Sequence, residues 1–500
     1  MQPPNFDEWI SVLKSLPNDK AAGPSGITNE MMRHLGSKTQ YLLWQLIQMC
    51  FTIGDIPNEW KIAHIYPIPK PSEWNCDITK TRPITLLETA RKGFVKILNN
   101  RLSKVIDKHN ILRGGNFASL PGGSTVPPIK ILNMLLEDAN EHNKEIWILL
   151  QDLSKAYDRV DLNYLRHALA RIKLPILAID LIINLFTARK NAVFTAQGTL
   201  DFYDVKIGID QGEVISPLLW CIYLDPLLSE VAKLNKGYLI EHEWTSNMIN
   251  LTTQRLSERI SSLAYMDDTN WIASSKEDLE EILETAEEFY SFTRSALNKD
   301  KSKLLTTSRC QSSCIKLKFG STTIDIAPEK GSIRFLGVWI NTKQSPLFVK
   351  SQINQNICRF INLMRYKPLT DKQLSYIVNM VLCPLIEYRI QLTPLSKKEC
   401  DQFFTPLRIL FKRKCKFALS FPNIMLHFKE FYNLNDLWTL QIKFLSSALL
   451  YQFNNSTIYE RISKIRLFQL QSQFALHVSP LEFWPRHFHR NSYKITLVPP

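Results

Sequence analysis

The stretch SSLAYMDDTNWIAS, Ser261–Ser274, decides the fold class. Ser261–Tyr265 and Asn270–Ser274 are two short strand candidates, and Met266-Asp267-Asp268-Thr269 joins them. Two strands around so short a link predict a β-hairpin. This hairpin carries two acids side by side at its tip. Carboxylates that close repel each other and call for a counter-charge.

Outward from the hairpin, Glu145–Gln151 (EIWILLQ) is an apolar run of strand length that stops at Asp152. Asp161 is placed to cap a helix with Leu162, Leu165, Leu169 and Ile172 on one face. Asn191–Ala196 and Phe202–Ile207 read as short strands around Gln197–Gly198, and Ser216–Ala232 as a helix. Ser275 and Asp278 suit a capping box ahead of a helix with Leu279, Ile282, Leu283, Ala286 and Tyr290 on one side. Strand, helix, helix, hairpin, helix predicts an α+β unit with helices on one face of its sheet.

Upstream, Asn18–Glu30 is a Gly/Pro-rich loop before a helix, and Ile68–Leu102 reads strand, polar loop, strand, helix. Beyond about residue 345 the pattern is nearly all helical: Ile353, Ile357, Phe360, Ile361 and Met364 keep that spacing, as do Leu374, Ile377, Val378, Val381 and Leu382. A boundary is expected near Asn341–Pro346. The expected units are 1–145, 146–345, 346–430 and 431–500.

A chain of 500 residues, 45% hydrophobic, can bury several cores. Its formal charge of +14 suits a polyanionic partner such as nucleic acid, although a merely basic protein would look the same. Nine cysteines, an odd number, fit a reduced intracellular compartment, nucleus or cytoplasm, better than a disulfide framework. The N-terminal MQPPNFDEWISVL has no signal-peptide pattern. The longest apolar stretch, Leu174–Phe186, holds Pro175 and Asp180, so no membrane span is expected.

An apolar strand ending in Asp beside a hairpin tipped with Asp-Asp can hold hard oxygen ligands rigidly. Two divalent ions about 3.5–4 Å apart, clamped by such carboxylates, are what nucleotidyl transfer requires. Here the chain resembles a family. Tyr265-Met266-Asp267-Asp268 is the YMDD form of the reverse transcriptase catalytic box, and QDLSKAYDRVD (Gln151–Asp161) resembles the first catalytic box of the non-LTR, LINE-type retrotransposon enzymes. GIDQGEVISPLLW (Gly208–Trp220), LNKDKSK (Leu297–Lys303) and RFLGVWI (Arg334–Ile340) are similar to the boxes on either side, and KAAGPSGI (Lys20–Ile27) and RPITLL (Arg82–Leu87) to the N-terminal blocks. The order is right, and the resemblance covers roughly residues 15 to 390.

The resemblance implies a right-hand polymerase with fingers, an antiparallel palm sheet and a thumb, plus a mainly helical C-terminal region. The reverse transcriptase core would span about residues 60–345. The implied activity is RNA-directed DNA polymerisation with an RNA template, a DNA primer and dNTPs. Two Mg2+ ions, with Mn2+ as a substitute, would sit on Asp152, Asp267, Asp268 and the carbonyl of Leu153. Lys301 would protonate the leaving pyrophosphate, though a solvated surface lysine fits its position equally well. Lys70 and Arg82 would meet the triphosphate. Gln211 and Gly212 would lie along the nucleotide, and Leu336-Gly337 along the primer. Tyr157 would stand beneath the sugar, its other reading being an ordinary core aromatic.

The block around Phe117–Thr125 departs from the family. Gly114-Gly115-Asn116-Phe117 stands where a Gln usually precedes Gly-Phe, which leaves template contacts there open. In RILFKRKCK, Arg408, Lys412 and Lys416 would, if helical, line one face at i, i+4 spacing, and with Arg413 they would track a template–primer backbone, or the face would be a plain solvated one. Cys400, Cys415 and His427 lack zinc-site spacing, and Cys310 and Cys314 lack nearby histidines. No ribonuclease H pattern is visible in 431–500, and no endonuclease is expected upstream of blocks that begin within the first thirty residues. The alternative function is a non-catalytic or maturase-like RNA-binding protein derived from a reverse transcriptase.

Overall fold

The computed structural model describes residues 2–70, 75–247, 252–308, 316–320, 322–325, 331–454, 457–476 and 478–482. Cys310, Cys314 and the aromatic WPRHFH segment at Trp484–His489 lie outside the described residues.

Trp147–Gln151 is the structural axis of the central unit. All five of its residues are buried. A strand buried on both faces needs an unbroken apolar run, which WILL supplies. Asp268–Ala273 pairs on one side and Lys303–Thr306 on the other, both antiparallel, with Ser262–Tyr265 outermost. Side chains alternate between two cores. Trp147 and Leu149 pack with Ser216–Lys233 and Lys276–Thr293. Ile148 and Leu150 pack with Val126–Glu141 and Ile458–Gln473. Helices therefore cover both faces of the sheet. The expectation of one covered face is corrected, because helices distant in sequence close the second.

Both predicted N-cap residues act as caps, but the capping box expected at Ser275 is one-sided, the Asp278 carboxylate lying 3.1 Å from the Lys236 ammonium instead. Asp161 accepts from the amides of Asn163 and Tyr164, and Ser275 from Asp278. The N-terminal unit carries a mixed sheet. Ile62–Pro69 pairs antiparallel with Thr81–Leu86 and parallel with Arg189–Thr195, and Tyr203–Val205 adds to the latter. Sequence patterning missed the hairpin Tyr238–Asn247 and Thr252–Ile260, whose strands alternate polar and charged residues at their outer ends. Its base is anchored in the core by Tyr238, Ile240 and Ile260.

Helices Leu347–Arg365, Asp371–Ile377, Cys383–Arg389 and Lys397–Lys414 build the C-terminal unit. The expected division at residue 430 is no gap in packing. Leu434 and Leu437 share a core with Phe404, and the Gln441 amide exchanges hydrogen bonds with the Leu395 backbone at 2.8 Å each way. Helix Ile458–Gln473 then returns to the central unit. Among the described residues no helix is long and apolar enough to cross a membrane.

That return is held by charge. Arg466 is almost wholly buried, 3.0 Å from Glu141 and 3.8 Å from both Glu137 and Asp138. Removing one partner of a buried ion cluster leaves the others uncompensated. Arg466→Met should lower unfolding free energy by about 3–5 kcal/mol in urea titration. A loss under about 1 kcal/mol would show that the carboxylates simply protonate and that the cluster is dispensable.

Candidate active site

The strand Trp147–Gln151 delivers Asp152 to the sheet's edge. Gln151 locks the strand end, donating to the Tyr290 hydroxyl at 2.6 Å and accepting from the Trp271 indole at 2.8 Å. The backbone of Asp152 is held on both sides. Its N–H donates to Ser302 Oγ at 3.3 Å, and its carbonyl accepts from Asn298 at 2.9 Å.

In the acidic hairpin Tyr265 pairs with Asp268, so Met266 and Asp267 form the two-residue turn. Met266 takes the left-handed conformation such a turn needs, at φ 57°. Thr269 pairs with Gln151, which brings the next residues, Asp268 and Asp152, alongside each other on adjacent strands. Burial raises the Asp267 carboxyl above its ordinary range, and the nearby Asp152 adds to this. Asp268 is pushed up to about 6, by burial first and then by Asp267 and Asp152. Lys301 opposes both shifts, its ammonium 3.2 Å from Asp152 Oδ2.

A cleft of about 970 Å³ opens over this corner. Asp152, Asp268, Lys301, Arg82, Leu336 and Gly337 all line it. Leu336 and Gly337 form the left-handed tip of the hairpin Ile333–Phe335 and Val338–Ile340, at φ 45° and 86°. The Tyr388 hydroxyl fixes that tip by donating to the Leu336 carbonyl at 2.6 Å. A Cβ on Gly337 would lie only 3.0 Å from the Tyr388 ring.

The other expected residues fall nearby. The Tyr157 hydroxyl is 3.7 Å from Met266 Sδ, and its ring packs 5.8 Å from Trp220. Tyr157 is half-buried beside the acidic hairpin, a position compatible with both of its readings. Leu153 pairs with Leu297, the start of the LNKDKSK segment. The Gln211 carbonyl accepts from Thr85 at 2.8 Å, and a Cβ on Gly212, at φ 126°, would meet the Thr85 carbonyl at 2.7 Å. This loop is thus stitched to the strand that carries Arg82. Lys70 is exposed one strand away, and its ammonium reaches the Thr79 carbonyl at 3.4 Å.

Sequence reasoning missed what holds that loop. Arg91, fully buried, contacts Glu213 at 2.7 Å and Asp210 at 3.4 Å; Arg189 contacts Asp210 at 2.6 Å. The acids flank Gln211-Gly212, and RPITLLETAR already contains Arg91, but nothing in the spacing links it to residues 210–213. Ser302, Lys303 and Arg334 were also overlooked inside quoted boxes.

The basic helix face is corrected. Arg408 and Lys412 are buried. Arg408 bonds His427, Asp401 and Asp436, and Lys412 donates to the Leu419 carbonyl at 2.9 Å. Their i, i+4 stripe runs along a helix whose Phe404, Leu407 and Phe411 belong to the unit's own core, where charges survive by internal pairing. Arg413 and Lys416 remain at the surface.

Residues 68–340 match the family described as "Reverse transcriptase (RNA-dependent DNA polymerase)". The chain is similar to the transposon TX1 149 kDa protein of Xenopus laevis, at 22% identity over 78% of this chain and 28% of that protein. It is also similar to the probable RNA-directed DNA polymerase from transposon BS of Drosophila melanogaster, at 23% identity over 53% of this chain and 30% of that protein. The chain therefore spans less than a third of the length of these two relatives. Among solved structures, apo telomerase from Candida tropicalis aligns at 13% identity and a TM-score of 0.41, over 86% of this chain and 74% of that one.

The raised Asp268 carboxyl has a consequence for stability. Its proton is held more tightly in the folded chain than in the unfolded one. Below about pH 4 both states are protonated and the group is neutral to stability. As pH rises from about 4 to about 6, the unfolded chain ionises first, so stability is lost, and the loss persists above about 6. Asp268→Asn should therefore raise the melting temperature in EDTA at about pH 8, with the gain shrinking towards about pH 4.5. Equal gains at both pH values would show that charge is not the cause.

Proposed function

The chain belongs to the reverse transcriptase family, and from that premise we propose that it is an RNA-directed DNA polymerase adding dNTPs to a DNA primer on an RNA template. The observation that carries this reading is the register that sets Asp268 beside Asp152, with Asp267 at the adjoining turn, under a cleft that also holds Arg82 and Lys301.

The donor set fits divalent cations. The carboxylates are hard oxygens, and burial, with the neighbouring acids adding to it, raises the proton affinity of Asp267 and Asp268, a cost that a bound cation would offset. Among the described residues no three such side chains already converge on one point. Lys301 stands where a cation is needed, beside Asp152. Asp152, Asp267, Asp268 and the Leu153 carbonyl would hold two Mg2+ ions, or Mn2+ in their place. When bound, such ions stabilise charge on the attacking and leaving oxygens.

The chain's own residues supply the rest. Arg82 offers a planar fork to the triphosphate, and Lys70 a weaker contact further out. Lys301, near the acids and open to solvent, is placed to give a proton to the departing pyrophosphate. Gly212 lets the backbone approach the nucleotide closely, with Gln211 beside it. Leu336-Gly337, braced by Tyr388, supports the primer end. The Tyr157 ring closes the space beneath the sugar.

Primer extension on an RNA template with dNTPs and Mg2+ tests the proposal. Asp152→Asn and Asp267→Asn should each lower extension by about a thousandfold or more while binding of template–primer survives. Robust extension by either variant would refute the assignment. Tyr157→Val should raise ribonucleotide incorporation relative to dNTP by roughly a hundredfold. If the variant instead melts well below the parent and loses both activities, Tyr157 is a core aromatic and no gate.

A further inference from the structure

The far end of the C-terminal helical unit carries a surface that the polymerase reading does not use. Helices Leu347–Arg365 and Lys397–Lys414 both end there. Arg365, Arg413 and Lys414 meet around a groove of about 330 Å³ floored by Ile361 and Ile409. Between Thr405 and Tyr432 the sequence holds six Lys or Arg and a single acid, Glu430. The salt bridges in this stretch go to the interior Arg408. Arg365, Arg413, Lys414, Lys416 and Lys429 have no carboxylate partner among the described residues.

Cations at helix ends can simply answer the helix dipole. Two C-termini present about half a negative charge each, so five cations exceed that need severalfold. Aromatic rings accompany them. Phe417 and Phe421 stack at 4.5 Å and 11°, and Phe431 joins at 6.0 Å and 26°. Phe431 is 45% exposed, Phe428 53% and Tyr366 82%. The Arg365 guanidinium lies 5.6 Å from the Tyr366 ring.

Cations alone would suit any polyanion, a duplex backbone included. Exposed flat rings narrow the choice. A duplex hides its base faces, whereas an unpaired strand offers bases to stack while its phosphates meet the cations. We propose that this distal end binds an unpaired nucleic-acid strand, phosphates on Arg365, Arg413 and Lys416, bases on Tyr366, Phe428 and Phe431. The site is apart from the cleft. Leu347–Arg365 has 19 residues, a length of about 28 Å, with its first turn against the cleft-lining hairpin through Phe348 and Trp339 and Arg365 at its other end. That the strand is RNA rests on the proposed polymerase reading; that it is unpaired does not.

The test is fluorescence anisotropy on the full chain, its cleft first saturated with a blunt RNA–DNA hairpin. The probe is a labelled oligo(U) of about 12 nucleotides. Tyr366→Leu with Phe428→Leu should weaken oligo(U) about tenfold while hairpin affinity and melting temperature stay unchanged. Arg365→Ala with Arg413→Ala should flatten the plot of log affinity against log salt by about 1.4, two contacts at about 0.7 each. Unchanged oligo(U) binding in both variants overturns the proposal. So does an equal loss of hairpin binding by the aromatic pair, which would put the surface inside the cleft. Self-association of the parent chain abolished by the aromatic pair would also overturn it, assigning the surface to a second copy. If extension fails while oligo(U) binding and its loss behave as expected, the polymerase reading falls and this site stands.

Discussion

Carboxylates at Asp152, Asp267 and Asp268 share one half-buried corner, and the burial of acidic groups there, compounded by their closeness to one another, is the constraint that the surrounding chain answers. Left to relax, the acids would separate or take up protons. A five-residue strand buried on both faces cannot shift to relieve them. Gln151 adds a second restraint through Tyr290 and Trp271, so the acid next in sequence inherits a fixed position. The strain of a charge-poor corner is thus kept in place by apolar packing. That is the usual relation between stability and an active site.

The same logic extends outward to the loop at residues 207–213. Its backbone has left any regular element, so its shape needs other support. Two buried arginines supply it from opposite sides. Arg91 comes from the helix that follows the Arg82 strand, and Arg189 from the strand that pairs with Ile62–Pro69. Arg189 also donates to the Ile207 and Gly208 carbonyls at 2.9 and 2.7 Å. The loop is therefore tied by ion pairs to the helix Thr89–Lys108 and to the mixed sheet that the Arg82 strand shares. Arg82 and Gln211 keep their separation because their backbones are tied, Thr85 to Gln211.

What could be read from sequence follows from how local each signal is. The acidic hairpin and the Asp161 and Ser275 caps are written within a few neighbouring residues, and all three formed, the hairpin with a two-residue turn where a four-residue link was expected and the Ser275 cap without its return bond. The apolar run of Trp147–Gln151 was equally visible. That its second face is covered was not, because the cover comes from Val126–Glu141 and from Ile458–Gln473, far along the chain. The Tyr238–Ile260 hairpin hid for a different reason. Its strands, YLIEHEWTSN and TTQRLSERI, mix polar and charged residues with few apolar ones, so alternation carries little apolar contrast there. In the candidate site, Asp152, Asp267 and Asp268 were legible by motif, whereas Arg91, Arg189 and Tyr388 act through contacts that no spacing encodes.

The basic helix shows how a periodic signal can mislead. Arg408, Lys412 and Lys416 share i, i+4 spacing, and spacing alone cannot say which way a face points. The apolar residues Phe404, Leu407, Leu410 and Phe411 interleave with them and occupy the buried side. Rotating the helix to expose Arg408 and Lys412 would expose part of that set too, and several buried side chains outweigh the desolvation of two cations that find partners. Both do find them: Arg408 in Asp401 and Asp436, Lys412 in a backbone carbonyl. Arg413 and Lys416, which have no carboxylate partner among the described residues, stand at and beyond the last turn, where the helix ends and the packing constraint lapses. Charge that a fold does not consume internally is charge available to a partner.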